Sequence, residues 1–71
     1  MTFKVLRAAS LAMVQDIYYD VLSKPSFDRS VKNDREFALE LLVAFRKGIN
    51  LDDDLQRHAE MIARTRFFKA A

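Results

Sequence analysis

Apolar residues recur every three or four positions along most of this chain, the spacing of one face of an α-helix. The pattern predicts three helices, over about 3–23, 34–47 and 51–68, packed as a compact all-α three-helix bundle in a single domain covering 1–71. Helix one runs until Lys24-Pro25, because the residue before proline is pushed out of the α region. The stretch SKPSFDRSVKN that follows is the longest connection, and Phe27 and Val31 are its expected plugs into the core.

Asn33 followed three residues later by Glu36 reads as a capping box that opens helix two. Arg46 and Lys47 suit its negative end, and Gly48 supplies a left-handed stop. Within it Phe37, Leu41, Ala44 and Phe45, flanked by Ala38 and Leu42, make one apolar face, opposite Glu36, Glu40, Val43 and Lys47. Asn50 is the expected cap of helix three, with Asp52, Asp53 and Asp54 at the positive end of its dipole. The acid-before-base pairs Asp53–Arg57 and Glu60–Arg64 then mark a solvent side.

The opposite side of helix three reads Leu51, Leu55, His58, Ile62 and Thr65, with Met61 and Phe68 on its flank. Adjacent side chains on a helix diverge by about 100°. Phe68 is therefore expected in the core, and its neighbour Phe67 on the polar face beside Gln56, Glu60 and Ala63. A large ring there is either a loose terminal residue or a contact for something outside the fold.

Helix one is too apolar for a helix with one buried side. Two stripes can be traced. One is Val5, Leu6, Ala9, Met13, Ile17 and Val21; the other is Leu11, Val14, Tyr18 and Leu22, with Tyr19 at its border. Either helix one is the central helix, wedged between its two neighbours, or the second stripe is a seam for a dimer or a partner helix.

Size sharpens that choice. A chain of 71 residues lies near the lower limit for one self-sufficient core, and it has no cysteine to cross-link. Self-association then becomes an expected source of stability, and a two-fold homodimer is the commonest form. With one glycine, one proline and 51% hydrophobic residues, the chain has the balance of a folded helical domain rather than a disordered one. Lys4 and Arg7 in an acid-free start resemble a targeting segment, but the apolar run from Ala8 to Val14 is short and broken by Ser10. No run approaches the length needed to span a bilayer. The expectation is the first helix of a soluble cytoplasmic protein without membrane insertion.

Candidate chemistry is sparse. No nucleophile elbow, P-loop, dinucleotide fingerprint or HExxH pattern occurs, and one glycine cannot build a phosphate-cradling loop. Asp54 and His58 stand four residues apart, yet a lone histidine on an apolar stripe is expected to be a packed, hydrogen-bonded group. The Asp52–Asp54 run lacks the alternating ligands, glycine and terminal glutamate of a calcium loop. Helix two, the Gly48 turn and helix three imitate a helix-turn-helix, but three aspartates would meet the phosphates of the major groove.

No catalytic residue, cofactor or metal site is therefore expected. The function expected is a small protein–protein interaction module, such as an adaptor, inhibitor or regulatory subunit, homodimeric through helix one. Leu11, Val14, Tyr18, Leu22 and Phe67 are its expected partner contacts. The alternatives are a nucleic-acid-binding regulator using the basic loop or Arg64, Arg66 and Lys69, and a small subunit of an enzyme.

Overall fold

The computed structural model describes residues 8–69. Three helices, α1 (Ala8–Leu22), α2 (Val31–Arg46) and α3 (Asp52–Ile62), pack pairwise against one another into the expected three-helix bundle. A single π-helical turn, Ala63–Phe67, continues α3. Positions 3–7 of the expected first helix, with Val5 and Leu6, lie outside the described residues.

Helix α1 ends where proline demands. The Ser23 amide still reaches the Tyr19 carbonyl, the Lys24 amide tightens to Val21, and the chain turns through Pro25. Phe27 is fully buried as expected, but Val31 is 76% exposed and plugs nothing.

The start of α2 differs from expectation. Ser30, in an extended conformation, accepts the Asn33 amide on its Oγ at 3.0 Å, so the helix begins three residues earlier than Asn33 would have it. Ser30 and Asn33 both carry capping side chains, and tertiary context selects the first. Asn33 instead donates its side-chain amide to the Asp28 carbonyl at 2.8 Å, bracing the loop. At the other end Gly48, with φ of 112°, permits a Schellman closure: its amide donates to Phe45 and that of Ile49 to Ala44. Ile49 is thereby drawn against the core.

Helix α3 has no side-chain cap, since Leu51 rather than Asn50 stands at its N-cap position; its three aspartates still lie where the dipole favours anions. Its buried face is Leu55, Ala59, Ile62 and Ala63, which keeps Leu55 and Ile62 of the expected stripe and replaces the rest with two alanines. Leu51 and Thr65 are exposed and His58 is half-buried. The large apolar residues suggest a face centred near His58, but Ala59 and Ala63, small enough to let neighbouring backbones approach, are buried instead, and the face is shifted toward them by part of a turn. Neither expected acid–base pair is present among the described ion pairs. Arg57 pairs with Asp54 at 2.7 Å, and Glu60 accepts from Gln56.

The π turn inverts the expected roles of the last two phenylalanines. The Phe68 amide donates to the Ala63 carbonyl, an i to i+5 bond at 2.7 Å. Each residue of such a wide turn advances less far around the axis than in an α-helix, and over one turn the lag carries Phe67 back onto the buried side. Phe67 is 3% exposed, stacked on Phe27 at 5.7 Å and edge-on to Phe37 at 5.9 Å. Phe68 is the half-buried one. The Asp28 amide bonds the Phe67 carbonyl and the Lys69 amide bonds that of Ser26, pinning the long loop to the C-terminal segment through an isolated antiparallel bridge.

Candidate functional site

The surface that answers to the surplus on helix one is a groove between α1 and α2. Leu11, Val14, Gln15, Tyr18 and Tyr19 form one wall, and Ala38, Leu41 and Leu42 the other, around ≈ 270 Å³. It exists because Ala38 is small where its neighbours Leu41 and Leu42 are large, so α2 leaves α1 uncovered along that edge.

Three of the expected contact residues share this groove, and each has a different role in it. Val14 is buried and forms part of the floor, while Leu11 is 42% exposed on the rim. Tyr18 is half-buried: its ring stacks on Phe37 at 5.9 Å, and its hydroxyl approaches the Asp34 carbonyl at 3.4 Å. Burial, and then the charge of Asp34, push the Tyr18 hydroxyl above its ordinary pKa, so it stays a neutral donor. Leu22 is not part of the groove; it is sealed in the core at the end of α1. Phe67, expected as an outer contact, is corrected to a core residue by the π turn.

Sequence spacing understated three residues of this surface. Tyr19, placed only at the border of the stripe, is 63% exposed, and it meets Tyr18 edge-on at 5.1 Å. On α2, Leu39 and Val43 are exposed as well. Leu39 neighbours the groove-lining Leu42 one helical turn away, so the apolar surface continues from the groove over the outer side of α2. Their i, i+4 spacing was the available signal, hidden because Glu40 and Lys47 made that side look polar.

Charge divides along the same surface. Lys32, Arg35 and Arg46 are exposed on α2, and among the described residues none of them is in an ion pair. Asp16 and Asp20 stand on the side of α1 turned away from α2, where they border a separate cleft against α3 of ≈ 590 Å³ with Asp52 and Gln56. Asp20 accepts from Gln56 there at 3.0 Å. That cleft is larger and more polar, its carboxylates sharing the lining with Ala12, Met13 and Ile17.

The basic C-terminal residues are not equivalent. Arg66 is held by Glu36 and Glu40 of α2, and its guanidinium lies 5.1 Å from the Phe67 ring centroid. Arg64 and Lys69 are exposed without a described ion pair. Arg29 is clamped on Asp34 through Nε and Nη2, which braces the loop at the groove's lower end. Among the described residues no three His, Cys, Asp or Glu side chains converge to hold a metal ion, and no helix is long and apolar enough to cross a membrane.

Compared with protein-family models, with curated proteins and with solved structures, the chain gives no match.

Proposed function

We propose that this protein is a small protein–protein interaction module that docks through the α1–α2 groove, with a second copy of itself as the first partner. One observation carries the reading. Leu11 and Tyr19 stand in water beside a groove floored by Val14 and walled by Leu41 and Leu42, and Leu39 and Val43 extend the apolar surface over α2. Isolated exposed apolar residues are ordinary, but a run of them around a concavity on so small a domain is the form of a contact surface. The scarcity of core in a 71-residue chain without disulfides supports the same reading, because an interface adds burial that the monomer lacks.

Leu11 and Tyr19 are the points to test, since Val14 and Tyr18 also hold the fold together. Sedimentation of the full chain across a dilution series is expected to show a concentration-dependent dimer. Tyr19→Glu is expected to shift it to monomer while the thermal melt of the diluted protein stays in place. A chain that remains monomeric at high concentration overturns the dimer reading.

A further inference from the structure

Every carboxylate of the two helices that form the groove is turned away from it or held by a base. On α1, Asp16 and Asp20 border the separate cleft against α3, where Asp20 accepts from Gln56. On α2, Asp34 is clamped by Arg29. Glu36 and Glu40 are each two residues from the groove-lining Ala38, a spacing that puts them on another side of the helix, and there they pair with Arg66.

The bases of α2 are placed the other way. Arg35 stands three residues before Ala38, and Arg46 four residues after Leu42, so both share the groove side of α2, one turn beyond its lining at either end. Both are exposed, and neither is in a described ion pair. Along the helix axis they are about 16 Å apart, or about three turns. Across the groove the α1 rim of Leu11, Gln15 and Tyr19 carries no charge.

Shape and charge together define what fits. A concavity between two packed helices, floored by Val14 and walled by Leu41 and Leu42, takes the apolar ridge of another helix. A flat lipid surface would leave the concavity unfilled, and a nucleic acid would leave Leu11, Tyr19 and Leu39 without apolar contacts. The unpaired arginines at the two ends select carboxylates on the occupant. A second copy docking groove to groove presents the same acid-free surface and supplies none.

Resting on the docking reading above, we infer that the groove also takes an acidic amphipathic helix of another protein, whose carboxylates, about three turns apart beside its apolar face, pair with Arg35 and Arg46. This helix and a second copy compete for the same surface.

Three labelled synthetic peptides of about eighteen residues test this by fluorescence anisotropy on the full chain. All carry one leucine face, flanked by two residues about eleven positions apart that are glutamate, glutamine or lysine. The glutamate peptide is expected to bind tightest and the lysine peptide weakest, and added salt should narrow the difference. Arg35→Glu combined with Arg46→Glu is expected to weaken the glutamate peptide by about tenfold and to reverse the order of the three. Leu11→Ser is expected to weaken all three alike, which attraction by charge alone would not do. These positions are exposed, and circular dichroism checks that the variants fold.

Equal binding of the three peptides, no binding of any, or an order that the double reversal leaves unchanged overturns the inference. Binding to vesicles of anionic phospholipid without binding to the glutamate peptide overturns it too, in favour of a membrane. A chain that dimerises in a Tyr19-dependent way but fails these peptide tests loses this inference and keeps the docking reading. If Leu11→Ser and Tyr19→Glu change neither dimerisation nor peptide binding, the docking reading itself fails.

Discussion

At the C-terminal turn two adjacent phenylalanines are taken into the fold, whereas on the α1–α2 side Leu11 and Tyr19 stay in water although they flank an equally apolar stripe. The difference lies in what crosses each region. Over the C-terminal turn runs the long loop, pinned by the hydrogen bonds of Ser26 and Asp28, and its Phe27 ring stacks on Phe67. The π turn then rotates Phe67 to meet it. No described segment crosses the α1–α2 edge in this way, and Ala38 leaves the space open. An apolar surplus is thus a partner signal only where the chain's own connections fail to reach it.

Phe67→Ala tests this contrast most severely. Emptying a buried phenylalanine site costs about 3–5 kcal/mol, comparable to the whole core contribution expected of so small a domain. Chemical denaturation is expected to find the variant largely unfolded in buffer. A variant that melts like the unsubstituted protein would return Phe67 to the surface and erase the difference between the two regions.

Ala63→Leu is the next step down. Ala63 is fully buried where α3 passes into the π turn, so added bulk there should cost about 1–3 kcal/mol. Ser30→Ala should then cost about 1 kcal/mol by removing the cap that starts α2, and more than Glu36→Ala, which would be the costlier change if Asn33 and Glu36 formed the cap. Denaturant midpoints of the pair decide between the two starts.

Tyr18 joins the regions, stacked on Phe37 and lining the groove. Its pKa is raised in the folded state, chiefly by burial. The linked stability is complete below the unfolded value, near about 10, and is lost as pH rises through the higher folded value. Melting temperatures between about pH 9 and about pH 11 should therefore fall less steeply in Tyr18→Phe than in the unsubstituted protein. The smallest effect on stability is expected on the groove rim. Leu11→Ser should change the monomer's denaturation free energy by less than about 1 kcal/mol while weakening self-association in sedimentation. A larger loss of stability would make Leu11 a core residue and close the groove as a site.

The existence and order of the helices were legible because periodicity, the Lys24-Pro25 stop and the Gly48 turn are local signals. The apolar face of α2 was legible for the same reason, since Phe37, Leu41 and Ala44 repeat at helical spacing. The face of α3 was legible only in part, through Leu55 and Ile62. Its direction is set by Ala59 and Ala63, whose small size matters only beside another helix, while Leu51 and Met61 carry the stronger hydrophobic signal and are exposed. Within the groove, Leu11, Val14 and Tyr18 could be grouped by spacing alone. That Leu22 leaves the group and Tyr19 belongs to it depends on where α2 and the loop pass.

By itself the sequence determined a three-helix chain with more apolar surface on its first helix than a single buried stripe requires, because helical period and chain punctuation are written residue by residue. Tertiary structure decided which of that surface is left over. Whether a ring is buried depends on what packs across from it, and a one-residue widening of the last helical turn was enough to draw Phe67 inside while Tyr19 stayed out.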